Sequence, residues 1–464
     1  MISLSLLFLL FRVSVISWIS LLLALNQKTD ILTKYTLKIS YYLIGQFLCQ
    51  RFFCRNTVKS NAFVIFAGKY KTHMKIILFD DKSWGTLRPL TFTRPISELR
   101  VGILTIREKW EKRFGDKVAY LTKDYLQEKF PLSVEDDNLL INASVCPNDE
   151  LLWKIKSLQA GEMLLQGDCL IAWRSSQREV ATFDPMTLPE GVRKEYTGIF
   201  TRVVYPYHLF SLNAQELEID FRLLTESRES APLNPCVQVY GKHPVFVEEG
   251  AVVRCAVINT EGGPVYIGKD AEIMEGVLIR GPFAMCEHAV LTMGAKVYGA
   301  TTLGPYCKCG GEVNNVVMIA YSNKAHDGFL GNSVLGEWCN IGAGTNNSNL
   351  KNTYVEVKLW DYETKHFRKT GLQFCGLIMG DHAKLGISTM INTGTVIGVG
   401  TNIFGADFPR NFVPSFSWGG ASGFTEHKMT QFAATAEAVM KRRNKTFDDV
   451  ERRIIEHVFA DPER

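Results

Sequence analysis

The sequence has 464 residues, 46% of them hydrophobic and 22% charged, which is ordinary globular composition and excludes a disordered or fibrous protein. Its formal net charge of +4 arises from residues 1–73, which carry nine Lys/Arg against the single acidic residue Asp30. The remainder holds 43 basic and 47 acidic residues, so the charge gives no basis for nucleic-acid binding.

The chain opens on an apolar segment, MISLSLLFLLFRVSVISWISLLLAL, interrupted only by Arg12. Its length and composition predict a transmembrane helix or a signal segment, which would tether the protein to a membrane through residues 2–25. The alternative is that the folded protein starts at Met74, where MKIILFDD has the pattern of a first strand, and that residues 1–73 are a leader or an over-extended start.

From Met74 the pattern is typical of an α/β domain. Short apolar runs such as KIILF, KVAYLT and CLIAWR alternate with polar, helix-like stretches such as IREKWEKRF. This alternation predicts a Rossmann-like domain with a largely parallel sheet over residues 74–225. The segment TESRESAPLNP, rich in charge, Ser and Pro, predicts a linker over residues 226–240.

The first predicted strand leads towards GTLRPLT, which resembles the glycine-rich loop of the sugar nucleotidyltransferases. In such a loop, backbone N–H groups approach a triphosphate and basic side chains neutralise it. The resemblance implies a nucleotidyltransferase-like domain that binds a nucleoside triphosphate. The residues it implies in nucleotide binding are Gly85, Thr86, Arg88, Arg94 and Arg100.

A magnesium ion is also expected from this resemblance, but its usual carboxylate ligand is not evident. Where the family has a Gly-Asp pair after a strand, this sequence has INASVCP, with Asn142 and Ser144. Asn213 in SLNAQ corresponds to the second metal ligand of the family. Because Mg²⁺ prefers carboxylate oxygens, the sequence leaves the metal site in question.

Beyond the linker, apolar residues recur every six positions. A helix repeats at 3.6 residues and a half-buried strand at 2, so this period indicates a hexapeptide repeat. We expect a left-handed parallel β-helix over residues 241–410, as in other hexapeptide proteins, with each hexad giving one short strand and a corner. One unbroken register contains Ile267, Ile273, Ile279, Met285, Leu291, Val297 and Leu303, and the mostly small residues four places later also point inward: Ala271, Val277, Phe283, Ala289, Ala295, Thr301 and Cys307.

The register continues at Phe329 and again from Met379 onward. Between these two runs, residues 350–371 break the period, which predicts a loop inserted into the prism. The tail, residues 411–464, predicts two helices packed on the prism or on a neighbouring molecule.

His326 lies just before Phe329, among Asn323, Lys324, Asp327 and Gly328. Many histidines are buried core residues, but these polar and small neighbours favour a solvent-facing groove. A neutral imidazole there could accept a proton from an attacking amine. Lys324 could balance a phosphate, and Asn340 and nearby asparagines could hydrogen-bond a sugar or a pantetheine amide.

The segments KAH, GFLG and NIGAGTNNSN resemble the acetyltransferase half of the bifunctional N-acetylglucosamine-1-phosphate uridyltransferase and glucosamine-1-phosphate acetyltransferase family. The resemblance implies that His326 is the general base, that Lys324, Phe329 and Asn340 bind the amino sugar phosphate, and that Ala343 and Asn349 line the acetyl-CoA site. Phe329 and Leu350 stand where the family has Tyr, so the acceptor or the acyl group can differ.

The expected function is therefore acetyl transfer to glucosamine 1-phosphate followed by uridylyl transfer from UTP, giving UDP-N-acetylglucosamine for the cell envelope. The alternatives are a nucleotidyltransferase for another sugar phosphate, such as glucose 1-phosphate, and a non-catalytic scaffold or regulatory subunit. The resemblance implies a homotrimer. Eleven cysteines without a Cys-x-x-Cys pair favour a reducing compartment, hence the cytoplasm.

Overall fold

The computed structural model describes residues 74–464, so the predicted membrane segment lies outside the described residues. Within residues 74–464, no helix is both long and apolar enough to cross a membrane.

The chain first forms a six-stranded sheet with short helices around it. Its strands are β1 Lys75–Phe79, β2 Ala119–Leu121, β3 Asp137–Asn142, β4 Glu162–Gln166, β5 Cys169–Ser176 and β6 Val192–Glu195.

The sheet has the strand order β2-β1-β3-β5-β4-β6. β1 runs parallel to both β2 and β3, but β5 is antiparallel to β3 and to β4, so the sheet is mixed rather than largely parallel. The difference arises at a tight hairpin, where Gly167 and Asp168 connect the paired residues Gln166 and Cys169. Gly167 has a φ of 55°, the left-handed conformation that such two-residue turns require.

The helices of this domain have conventional ends. Thr105 and Glu108 form a capping box at the start of the helix Ile106–Phe114, and Gly115, with a φ of 80°, ends it. Asn148 accepts a hydrogen bond from the Leu151 amide and so caps the helix Asp149–Lys156. The helices are α1 Ser83–Thr86, α2 Ile106–Phe114, α3 Asp149–Lys156, α4 Gln177–Thr182, α5 His208–Ser211 and α6 Asn213–Thr225.

The repeats form a parallel β-solenoid with three faces, here called A, B and C, whose successive strands stack in rungs. Face A contains β7 Gln238–Tyr240, β10 Val257–Asn259, β13 Leu278–Arg280, β16 Lys296–Tyr298, the first halves of β19 Glu312–Ala320 and β21 Phe329–Glu337, β23 Asn346–Asn347 and β28 Met390–Ile391. Face B contains β8 Val245–Val247, β11 Val265–Ile267, β14 Phe283–Met285, β17 Thr301–Leu303, the second halves of β19 and β21, β26 Leu377–Met379, β29 Thr395–Ile397 and β31 Phe412–Val413. Face C contains β9 Val252–Val253, β12 Glu272–Ile273, β15 Val290–Leu291, β18 Lys308–Cys309, β20 Asn323–Lys324, β22 Asn340–Ile341, β27 Lys384–Leu385, β30 Asn402–Ile403 and β32 Ser417–Gly420, followed by β33 Gly423–Glu426.

The interior of the solenoid follows the six-residue register. Both predicted columns, the one from Ile267 to Leu303 and the one from Ala271 to Cys307, are buried along their whole length. The small residues of the second column leave room at the corners for the large residues of the first. The first strand of the solenoid starts at Gln238, inside the range predicted as linker, and its last strand ends at Glu426.

The register differs from the prediction at Phe329. Parallel pairing places Leu330, not Phe329, beside the inward-facing Val313, and Phe329 is half-buried on the outside. The rungs here are shorter than eighteen residues, because Val297 pairs with Val313 and Val313 with Leu330. The shortened rungs shift the inward position by one residue.

The inserted segment and the tail leave the solenoid but return to it. The chain departs after Asn349 and rejoins at Cys375, whose amide donates to the Asn349 carbonyl at 2.9 Å. Between them lies an antiparallel hairpin of β24 Lys358–Asp361 and β25 His366–Lys369. The tail contains helices α7 Met429–Lys441 and α8 Asp449–Ala460.

Face B carries the α/β domain. The middle residues of its strands from β8 to β29 point outward and, except for Thr302, are nevertheless apolar; all are at most 8% exposed. They share two apolar clusters with helices and loops of the α/β domain. Burial of such side chains contributes about 1.5–3 kcal/mol each, so the two parts form one unit. These outward residues include Phe246, Tyr266, Ala284, Val317, Val334, Ile378 and Val396.

Candidate functional site

A groove of about 650 Å³ runs along face C beside His326. His326 lies in the turn between β20 and β21, and its side chain is exposed. Asn340 and Ala343, from the next rung, line the same groove. The structure therefore brings together three of the residues that the sequence assigned to acyl transfer.

Lys324 does not reach this groove with its ammonium group. It pairs with the inward-facing Cys309 and is only 1% exposed. Its Nζ donates to the carbonyl oxygens of Gly310, at 3.3 Å, and of His326. Burial lowers the pKa of Lys324. The side chain thus holds the backbone of the His326 turn from inside the solenoid, and a phosphate at the surface cannot contact it in this arrangement.

Phe329 and Asn349 also lie apart from the groove, on face A. The Phe329 ring and the Asn349 amide both lie within 2.7 Å of the point where a Cβ on Gly331 would stand. The Asn349 Nδ2 donates to the Asn332 side chain at 2.8 Å. These two residues pack beside a glycine that has no room for a side chain, rather than beside His326.

Four basic side chains line the groove and were not identified from the sequence: Lys308, Lys384, Arg442 and Arg443. The two arginines come from the end of α7, in the run MKRRNK. A basic run at a helix C-terminus is ordinary, and nothing in its pattern says which surface it faces. The Lys384 Nζ donates to the carbonyl oxygens of Trp338, at 2.7 Å, and of His382, at 3.1 Å, and burial lowers its pKa to about 8. Lys308, Arg442 and Arg443 supply the positive charge that suits the groove to a ligand carrying phosphate.

The inner wall of the groove is aromatic. Tyr321 and Trp338 occupy the same corner on successive rungs and stack with ring centroids 4.3 Å apart. The column continues on one side to Tyr306 and on the other to His382. His382 is buried, and desolvation lowers its pKa well below the ordinary value. It is a neutral member of the aromatic column and lies outside the groove lining.

The arginines assigned to a triphosphate instead join the α/β domain to the solenoid. Arg94 forms ion pairs with Asp381 and, at 2.9 Å, with Glu337. The Arg100 Nε donates to the Ile319 carbonyl at 3.2 Å. Both arginines are about 5% exposed. The charge of Arg94 is therefore neutralised at the edge of the solenoid, whereas that of Arg100 is paired with Glu108 of its own domain at 3.6 Å.

The glycine-rich loop itself is covered by the inserted hairpin. Arg88 is buried among the rings of Trp84, Phe92 and Tyr362, and its Nη2 lies 2.5 Å from Glu363 Oε1 at the hairpin turn. The same carboxylate lies against Gly85, since a Cβ there would stand 1.8 Å from it. The neighbouring Thr86 donates its hydroxyl to the Val204 carbonyl at 2.6 Å. The Glu363 carboxylate therefore lies where the resemblance leads us to expect a phosphate group, beside Gly85 and Arg88.

Besides the groove on the solenoid, a pocket of about 230 Å³ lies in the α/β domain, at the carboxyl ends of β1 and β3. Ligands bind at this edge in open α/β sheets. Arg202 Nη2 contacts Asp81 Oδ2 at 2.6 Å, and the Asn142 amide donates to the same oxygen at 3.0 Å. Lys82 and Asp168 complete its polar lining.

The residues near this pocket do not fit a magnesium site. Asp80 accepts hydrogen bonds from the Thr122 hydroxyl and the Ile96 amide, and burial raises its pKa to about 7. Asp81 is paired with Arg202. Among the described residues there is no group of three His, Cys, Asp or Glu side chains that could hold a metal ion.

Asn213, the candidate metal ligand, has another role. It is fully buried where α6 meets face B. Its Oδ1 accepts from the Gly102 amide at 2.7 Å, and its Nδ2 donates to the Ala300 carbonyl at 2.8 Å. Both ends of the amide are used in domain packing, which leaves none for a metal ion.

The chain thus joins a Rossmann-like α/β domain to a parallel β-solenoid of short repeats. Comparison with known proteins shows that residues 76–229 match the family model described as sugar nucleotidyl transferase.

Two curated relatives match part of the chain. The bifunctional sugar-1-phosphate nucleotidylyltransferase/acetyltransferase of Sulfurisphaera tokodaii is 31% identical over 144 residues, 31% of this chain and 35% of the relative. The bifunctional protein GlmU of Methanocaldococcus jannaschii is 31% identical over 87 residues, 19% of this chain and 21% of the relative. The chain thus aligns with about a third or less of the length of each.

Two solved structures match part of the chain at lower sequence identity. An acetyltransferase from Bacillus cereus has 12% identity and a TM-score of 0.19, covering 48% of this chain and 96% of that one. The polysialic acid O-acetyltransferase OatWY has 12% identity and a TM-score of 0.20, covering 41% of this chain and 87% of that one.

Proposed function

We propose that the solenoid transfers an acetyl group from acetyl-CoA to the amino group of glucosamine 1-phosphate. The observation that carries this proposal is the exposed His326 in a groove whose opposite wall is basic. A histidine among glycines and asparagines supplies a proton acceptor, and the basic wall supplies the charge that a sugar phosphate and the phosphates of coenzyme A need.

In this proposal, His326 accepts a proton from the sugar amine as the nitrogen attacks the thioester carbonyl. The new C–N bond forms, the C–S bond breaks, and coenzyme A leaves as the thiol. Asn340, exposed on the adjacent rung, hydrogen-bonds the sugar, and Ala343 borders the acyl donor. Arg442 and Arg443 hold phosphate from the side of α7.

The test is thiol release from acetyl-CoA by the full-length chain, with glucosamine 1-phosphate, with glucosamine, and without an acceptor. We expect thiol release to require an amino sugar. The kcat/KM for glucosamine 1-phosphate should be at least 10-fold higher than that for glucosamine, because one charge-assisted contact to the phosphate contributes about 1.4 kcal/mol. Equal rates under all three conditions would contradict the proposal.

We further propose that the α/β domain transfers a uridylyl group from UTP to N-acetylglucosamine 1-phosphate, so that the chain supplies UDP-N-acetylglucosamine to the cell envelope. The sugar nucleotidyl transferase match and the pocket at the ends of β1 and β3 support this activity. Substrates such as glucose 1-phosphate are the alternative within the same class.

One observation favours a different role for this domain, that of a non-catalytic scaffold. Arg88, Arg94 and Arg100 are all engaged in holding the domain to the solenoid or its hairpin. Pyrophosphate release separates the two candidates. Sugar-phosphate-dependent release from UTP is expected of the enzyme, and a purified chain that acetylates but releases no pyrophosphate with any nucleoside triphosphate is a scaffold in this half.

The proposed setting is the cytoplasm, which the cysteine usage favours, and the proposed assembly is a homotrimer. Face B is covered by the chain's own α/β domain. Contacts between copies would therefore use face A, face C or the corners, which include the exposed Met293 and Ile387.

A further inference from the structure

Two exposed cysteines lie side by side at the open end of the solenoid. Gln238 of β7 pairs with Val257 of β10, and Cys236 and Cys255 each stand two residues earlier in the chain. They therefore occupy the same corner on successive rungs. Adjacent strands lie about 4.8 Å apart, which falls within the range of roughly 4.4–6.8 Å between the Cα atoms of disulfide-bonded cysteines.

Both thiols are also accessible. The neighbouring Cys255 thiol raises the pKa of Cys236. Both residues are exposed, whereas the other cysteines of the described chain are buried or, in the case of Cys169, half-buried. Exposure and a neighbouring thiol that can resolve a mixed disulfide are two features of reversible dithiol sites.

We propose that Cys236 and Cys255 form a redox-responsive dithiol that closes into a disulfide across the first two rungs. A cysteine thiolate attacks a small-molecule disulfide such as oxidised glutathione, and one glutathione thiolate leaves. The second cysteine thiolate then attacks the protein-bound sulfur, the S–S bond forms, and the second glutathione leaves. The protein loses two protons and two electrons, and glutathione disulfide gains them.

A disulfide between Cys236 and Cys255 would stabilise the end strand of the solenoid. β7 is the terminal strand of its face and is hydrogen-bonded on one side only, to β10. End strands of solenoids open first, because a single neighbour holds them. A bond from Cys236, two residues before β7, to Cys255 of the next rung holds this end strand in place, so oxidation stabilises the first rung of the solenoid.

The test uses the reduced full-length chain treated with oxidised glutathione and analysed by intact mass and non-reducing peptide mapping. We expect a single intramolecular link between the peptides of Cys236 and Cys255, with a mass loss of about 2 Da at that site. Cys236→Ser and Cys255→Ser should each instead retain a glutathione adduct on the remaining cysteine. Cys169→Ser is the matched control and should form the link as the native chain does.

Hydrogen exchange supplies a second readout. Amides of β7 are expected to exchange at least about 10-fold more slowly after oxidation, and the slowing should be absent in Cys255→Ser. Stable glutathione adducts on both cysteines, or links only between separate chains, would overturn the proposal. An intramolecular link that leaves the amide exchange rates of β7 unchanged would also overturn the proposal, since the disulfide would then not stabilise the end strand.

Discussion

Replacement of His326 by alanine is expected to lower kcat/KM for acetyl transfer to glucosamine 1-phosphate by about 10²–10⁴-fold, the usual contribution of a general base. The side chain is exposed in the groove, so its removal leaves no cavity. The free energy of unfolding should therefore change by less than about 0.5 kcal/mol. Thiol release under saturating acetyl-CoA, together with a denaturation curve, measures both quantities.

The matched control is His288→Ala. His288 is also an exposed histidine of the solenoid, and its ring stacks on Tyr306 at 4.6 Å, outside the groove lining. Its replacement should leave the transfer rate within about 2-fold of native, as expected for a side chain that contacts no substrate. If His326→Ala retains comparable activity, the imidazole is not the proton acceptor.

Replacement of Asp381 by asparagine is expected to reduce the free energy of unfolding by about 3 kcal/mol, because removal of one partner of a buried ion pair leaves an uncompensated charge. Asp381 is 3% exposed and pairs with Arg94. It also accepts the Thr93 hydroxyl at 2.6 Å and the Glu337 amide at 2.8 Å. Asparagine keeps the shape of the side chain but removes its charge, so the decrease in the free energy of unfolding measures the effect of breaking the ion pair. Guanidinium unfolding followed by tryptophan fluorescence measures it.

A surface pair provides the control for this change. Glu437 lies 2.7 Å from Arg452 between the two tail helices, and both side chains are at least a third exposed. Glu437→Gln should therefore change stability by less than about 1 kcal/mol. A similarly small effect of Asp381→Asn would mean that Arg94 is neutralised by Glu337 alone and that the domain junction does not depend on Asp381.

The solenoid could be predicted from the sequence because its period of six belongs to no helix or ordinary strand. The packing of the α/β domain on face B is also visible in the sequence. In strands such as Val265–Ile267 and Leu377–Met379, the middle residue points outward and is still apolar. A one-residue slip at Phe329 was not predictable, because a shortened rung changes the register without changing the composition.

The candidate site was predictable only in part. His326, Asn340 and Ala343 belong to one short segment, so spacing alone brings them together. The roles of Arg94 and Arg443 depend on partners far away in the chain. Arg94 meets Asp381, which stands 287 positions later in the chain, and a basic residue looks the same in the sequence whether it faces a phosphate or a carboxylate.

Repeat proteins commonly gain or lose repeats, but here the α/β domain fixes the number of rungs between its contacts with the solenoid. The α/β domain contacts face B or its corners at Thr302, at Ile319 and at Asp381, which stand on the first, second and fourth of four successive rungs. At about 4.8 Å per rung, the first and last of these contacts are roughly 14 Å apart. One more rung between them would separate partners that now meet, so evolution could lengthen this solenoid only beyond the footprint of the domain that it carries.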